Sequence, residues 1–197
     1  MSATISEIAS RIAELESQLE RALAEEVEDK RRKFLYVIEK GKVAFESDVR
    51  AAHRKVRQSV PAFLREAPVA SLLVAPVIYS LIVPFVLLDL WLWLYQVICF
   101  PVYGIEKVDR SRYILLDRGQ LRYLNAIERF NCDYCGYANG LIAYAREIAS
   151  RTEQYFCPIK HAHRCAGAHQ RYHEFLDFGD ARAYRRELVR LRDELKP

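Results

Sequence analysis

The side chains able to do chemistry crowd into one stretch. Four of the five cysteines stand at 132, 135, 157 and 165, and four of the five histidines at 161, 163, 169 and 173. Eight soft or borderline donors within 42 residues point to a bound metal ion. Zinc takes four such donors in a tetrahedron. Cys132, Cys135, Cys157 and His161 would supply three thiolates and an imidazole, with Cys165 and His163 as alternative ligands. Iron is the alternative metal: thiolates of Cys132, Cys135, Cys157 and Cys165 can hold an iron–sulfur cluster, although their spacing matches neither common ferredoxin pattern. His169 and His173, four residues apart, could share an ion on a helix.

Cys132-x-x-Cys135 followed by Gly136 resembles the knuckle of zinc ribbons and rubredoxin-like sites. The resemblance covers five residues and implies two thiolates converging on one ion, with the glycine relieving the turn. No function travels with it. A redox dithiol at Cys132 and Cys135 lacks the surrounding βαβ pattern of a thioredoxin-like fold. Four metal-free thiols and a structural disulfide are the remaining readings, the disulfide being disfavoured in a reducing compartment. A di-iron bundle site needs Glu-x-x-His pairs, and none occurs. Neither a P-loop nor a Gly-rich dinucleotide turn, G-x-S-x-G or H-E-x-x-H is present, so no reaction can be named.

The elements around these residues are organised by a 39-residue run, Ala67 to Ile105, whose only charged side chain is Asp89. A hydrocarbon core of ~30 Å takes about 20 helical residues to cross. Prolines at 68, 76, 84 and 101 punctuate the run into legs of 17 and 16 residues, Ala67–Val83 and Leu90–Ile105. The expectation is a membrane hairpin, or a shallower re-entrant one, reversing over Pro84–Asp89. That places Asp89, Trp91 and Trp93 at the far headgroup layer, where indole rings are favoured and a carboxylate is tolerated. As a proton or ion relay Asp89 would need a charged partner that the run does not supply. Cys99 reads as packing.

Basic residues flank the run on both sides: Arg50, Arg54, Lys55, Arg57 and Arg65 before it, Lys107, Arg110, Arg112, Arg118 and Arg122 after it. Positive charge stays on the cytoplasmic side, so both termini are expected there, at a cell inner membrane. Upstream, Lys30 to Arg65 carries eleven Lys/Arg against three acids, which suits anionic lipid headgroups. Without an RNP pair or a recognition-helix pattern, nucleic acid is not expected as a partner.

The coarse reading is therefore all-α, in four segments. Residues 1–29 form a coiled-coil helix, with Ile5, Ile8, Ile12, Leu15, Leu19 and Ala22 in heptad steps and a capping box at Thr4 and Glu7. That seam, over 5–22, could bring copies together as a homo-oligomer or pack on a neighbouring helix. Residues 30–66 form a basic helix kinked near Gly41, and 67–105 the membrane hairpin. Residues 106–197 form a small helical domain: an extended run at 113–116, helices over 120–129 and 141–156, the knuckle between them, and a last helix from Ala181 capped by Asp180. The functional expectation is a membrane-anchored accessory or interaction protein with a structural zinc in its cytoplasmic domain. The alternative is a membrane-bound redox enzyme using an iron centre or the Cys132/Cys135 dithiol on a lipid or quinone-like substrate.

Overall fold

A computed structural model describes residues 2–39 and 42–197, leaving aside the side chains of residues 2–6, 9, 39 and 42. The described chain is mostly helical and divides into two units, Met1–Leu64 with Asp117–Arg129, and Arg65–Leu116 with Phe130–Pro197.

The first unit opens with helix α1, Ser2–Phe34. It starts before Thr4, so Thr4 lies inside the helix and the expected capping box does not begin it; the side chains of Thr4 and Ile5 fall outside the described residues. The basic segment is not one kinked helix. Tyr36–Glu39 (β1) pairs antiparallel with Lys42–Phe45 (β2), and Ser47–Lys55 (α2) and Val60–Glu66 (α3) follow. The reason lies in the residues: Tyr36, Val37, Ile38, Val43 and Phe45 are β-branched or aromatic and favour a pleated strand. The kink expected at Gly41 falls outside the described residues. Gln120 Oε1 accepts the Val43 N–H at 2.5 Å, and rings of Tyr36, Phe45, His53 and Tyr123 pack in sequence at 5.0–5.7 Å.

The second unit is built on the apolar run. Val69–Ser80 (α4) and Ile82–Tyr103 (α5) are helical with a tight turn at Leu81 between them. Pro84 explains the turn: it has no N–H for the Ser80 carbonyl, and its ring crowds that carbonyl. The Leu81 N–H bonds to Ile78 at 3.3 Å instead, and the ladder resumes with Phe85 to Leu81 at 3.2 Å. The reversal expected over Pro84–Asp89 is absent, because these residues lie inside α5. Together α4 and α5 make one long apolar helix, Val69–Tyr103. It stops at Gly104, whose φ of +67° suits a glycine, and the Ile105 N–H reaches back to the Phe100 carbonyl at 2.9 Å.

From Gly104 the chain returns over 105–117 as irregular chain interrupted by a 3-10 turn at Arg110–Arg112, and helix α6, Ala126–Phe156, then runs parallel to α5. The parallel sense follows from the pairs between the helices, which advance together from Tyr79 with Asn131 to Tyr103 with Tyr155. Asn125 caps α6: its Oδ1 accepts from Ile127 and Glu128 N–H at 2.9 and 3.0 Å, while Glu128 Oε2 accepts from the Asn125 N–H at 2.8 Å. Cys157-Pro158 ends it. The last helix, Ala181–Asp193 (α7), starts under the Asp180 cap, as its sequence suggests. Phe100, Ile105, Val108, Ile114, Leu141, Tyr144, Ile148 and Leu195 form the core where α5, the return segment, α6 and the C-terminus meet.

Candidate functional site

Two places in the second unit gather polar chemistry. One lies along the inner face of the apolar helix, the other at the far end of α6.

Positions 75, 79, 82, 85, 89, 92, 96 and 100 of the apolar helix form a stripe withdrawn from solvent at helical spacing, widened near its C-terminal end by 94, 95 and 99. The tyrosines of α6 meet that stripe. Tyr79 donates to Asn131 Oδ1 at 2.5 Å, and Tyr134 donates to the Ile78 carbonyl at 2.7 Å. Tyr95 and Thr152 hydroxyls stand 3.0 Å apart. Asp89 receives a fork from Arg110, Nε to Oδ1 at 3.0 Å and Nη2 to Oδ2 at 2.6 Å, and a third bond from Tyr137 at 3.0 Å. Asp89 is therefore paired, not waiting at a loop tip: its charged partner comes from the return segment. Burial, followed by the Asp89 carboxylate, pushes the Tyr137 phenol up to about 12. Gln96, 4% exposed, donates to the Tyr144 oxygen and accepts the Val108 N–H at 2.7 Å, so its amide is used on both sides. It is the one amide in the apolar run, and that singularity was a legible signal.

The return segment crosses α6 against two glycines four residues apart. A Cβ on Gly140 would stand 2.5 Å from the Tyr113 carbonyl oxygen, and one on Gly136 would stand 3.1 Å from that of Leu115. Gly136 thus admits a passing backbone; it does not relieve a knuckle. Cys132 and Cys135 sit one turn apart inside α6, with Cys132 half-buried and Cys135 exposed. Cys157 follows the helix's last residue, 22 positions beyond Cys135 and roughly 33 Å along the axis at 1.5 Å per residue. The expected out-and-return between them does not exist, so Cys132, Cys135, Cys157 and His161 are not brought together in one chain. Among the described residues no group of three His, Cys, Asp or Glu is placed to hold a metal.

The other donors cluster beyond Cys157. Ile159 bridges to Leu176 in parallel, pinning the base of a loop. Arg146 Nη2 donates to the carbonyls of Gly167 and Ala168 at 2.9 and 2.7 Å, and His169 meets Glu153 at 2.8 Å. His169 and His173 do not share a face of an α-helix; His169 immediately precedes a short 3-10 turn, Gln170–Glu174, and His173 lies within it. Inside this loop His161, His163, Cys165 and His173 line an open cavity of about 530 Å³ with Tyr172.

The chain matches no family model, no curated protein and no solved structure.

Below the loop, Glu147 joins the pieces. Its Oε1 accepts from Arg151 at 2.9 Å and Arg171 at 2.8 Å, while Arg151 also reaches the Glu106 carbonyl at 2.6 Å. Gln154 donates to the Leu191 carbonyl at 2.8 Å, and Arg192 donates to that of Tyr155 at 2.9 Å. Return segment, α6, the His/Cys loop and α7 are thereby tied into one polar junction.

Proposed function

We propose that this chain is a monotopic membrane-anchored interaction protein, whose apolar helix lies in the plane of one leaflet. The observation that carries the reading is the 35-residue helix Val69–Tyr103, whose most apolar 18-residue window has a mean hydropathy of 2.4 and no buried residue. Leu73 and Val102 are 74% and 75% exposed, and Trp91 is 68% exposed. An aqueous surface rarely leaves so large a continuous apolar area open, whereas lipid accepts it.

Two considerations favour lying over crossing. At about 1.5 Å per residue the helix is roughly 52 Å long, well beyond a ~30 Å hydrocarbon core. More decisively, α6 accompanies it, carrying Asp133, Arg146, Glu147, Arg151 and Glu153. At roughly 2.5–3.5 kcal/mol for each charge taken to mid-bilayer, those five would cost upwards of ~10 kcal/mol, less what pairing returns. A helix with one face on its own body and the others in lipid avoids that cost. In this reading both basic flanks stay on the cytoplasmic side of the inner membrane, and each terminus lies on that side. The basic residues of 30–65 precede the anchor and suit anionic headgroups.

Tags at the two ends test this in intact inverted and right-side-out vesicles. Both tags are expected to react from the same side, and the chain should resist release by high salt. Tags on opposite sides, or a chain that stays in solution without lipid or detergent, would end the reading.

A second reading concerns metal. The cavity lined by His161, His163, Cys165 and His173 carries donors that suit zinc, and because no three of them converge as placed, binding would have to draw the loop in around the ion. Elemental analysis of purified protein tests it: one zinc per chain is expected, falling on His161→Ala or Cys165→Ser.

A further inference from the structure

Helix α1 carries an apolar stripe that its own unit leaves exposed. Ile8, Ile12, Leu15, Leu19, Leu23 and Val27 are each between 46% and 58% exposed. The stripe is longer than a heptad reading suggests. Steps of four and three from Ile8 give way after Leu15 to steps of four, so that Ile12 and Leu23 are eleven residues apart. An eleven-residue spacing follows a nearly straight helix, and a four-residue insertion of this kind locally unwinds a left-handed coil. Glu26, eleven residues after Leu15, still falls on one edge of the stripe, whereas Glu25 lies on the opposite face.

We propose that this stripe is closed by a second copy of the chain, in a parallel two-stranded coil. Three features choose that occupant. First, Ile12 and Leu15 supply a β-branched residue followed by leucine at the inward positions, the order that suits two strands. Second, Arg11 and Glu16 occupy the flanking positions five residues apart. In a parallel, in-register pair Arg11 of each copy faces Glu16 of the other, so the surface is complementary to itself in charge. Third, the stripe runs along a 33-residue helix, near 50 Å at about 1.5 Å per residue. That length passes the roughly 12–15 residues below which isolated helices are marginal. The inference is independent of the membrane reading, since nothing in it depends on where the apolar helix lies.

Self-association of the full chain in detergent micelles, followed by light scattering and analytical ultracentrifugation, tests the proposal. The wild-type chain should be a dimer at micromolar concentration. Arg11→Glu alone, or Glu16→Arg alone, sets two like-charge pairs across the seam and should weaken dimerisation about tenfold. The double exchange should restore it to within about twofold. Far-UV circular dichroism on each variant checks that the helix persists. Register is read by mild oxidation: Ile12→Cys should give a covalent dimer above the wild-type background, and Ser17→Cys, on the outer face, should not. A chain that is monomeric at all concentrations, a trimer, or a double exchange as weak as the singles overturns the proposal. So does an Ile12→Cys variant that fails to cross-link while the chain remains dimeric, since the strands would then be antiparallel or out of register.

Discussion

Gly140 and Gly136 sit on the same face of α6 yet are held by different margins. At Gly140 an added methyl would meet the backbone of Tyr113 and Ile114, with the Tyr113 carbonyl oxygen at 2.5 Å. Backbone cannot swing aside as a side chain can, so the return segment must lift off the helix. Gly140→Ala should cost about 1–3 kcal/mol, the usual range for overpacking. Gly136→Ala meets Leu115 at 3.1 Å and needs only a few tenths of an ångström of give. Its helix-propensity gain of ~1 kcal/mol partly offsets that, leaving a small net change. Thermal melts of the two variants check the contrast; equal losses would place the return segment elsewhere. Glu147 offers a second residue-level test. Burial alone would raise its carboxyl, but the Arg151 and Arg171 bonds outweigh burial and hold it below the ordinary carboxylate range. A lowered folded pKa contributes stability that is fully present above the unfolded value of ~4.3 and is lost as pH falls through the folded value. The melting temperature of the wild type should therefore drop in that acid window. Glu147→Gln should melt lower at neutral pH, by about 1–2 kcal/mol, and show a shallower acid loss.

The elements expose where residue spacing informs and where it misleads. C-x-x-C is knuckle spacing, but i, i+3 is equally one turn of helix. Around Cys132 and Cys135 the helix-compatible residues from Ala126 onward prevail, and α6 passes through without a break. The Asn125-x-x-Glu128 capping box is legible in the sequence and marks the start of that helix. The helix over 141–156, the Asp180 cap and the inward Leu191 and Leu195 could all be read directly, since each rests on local pattern. The return segment could not. Its place depends on Gln96, Arg110, Gly136 and Gly140, which are distant in sequence and meet only in the folded chain. The pairing of β1 with β2 was hidden by charge, because Lys30–Lys33 and the arginines after the strands suggest a basic helix. One consequence can be measured. Cys132 lies inside a continuous helix and is not one of four ligands, so Cys132→Ser should leave the melting temperature within ~1 kcal/mol of wild type and the zinc content unaltered. Global unfolding by that substitution would restore the knuckle.

For the molecule as a whole the question is depth. Its two tryptophans are Trp91 and Trp93, both on α5, so fluorescence excited where tyrosine does not absorb reports on the apolar helix. Lipids brominated at different acyl positions quench an indole according to its distance from the bilayer centre. If the helix crossed the membrane with its midpoint near residue 86, Trp91 would lie about five residues beyond the midpoint, ~8 Å away at 1.5 Å per residue. Bromines deep in the chains would then quench it best. If the helix lies in the plane, its apolar face reaches only about 5–10 Å into the headgroup and acyl boundary. Bromines near the carbonyl end should then quench best, and the emission should stay between that of water-exposed and fully buried indole. The chemistry beside the tryptophans argues for the second outcome. Asp89 is only two residues from Trp91, and it holds Arg110 in a two-pronged pair whose guanidinium side chain remains 46% exposed. An arginine so placed must reach headgroups or water, and its short tether to α5 keeps that helix within reach of the interface as well. Asp89→Leu with Arg110→Leu removes the tether. In that double variant the best quenching should shift toward deeper bromines, whereas a wild-type chain already quenched from the bilayer centre would rule out an in-plane helix.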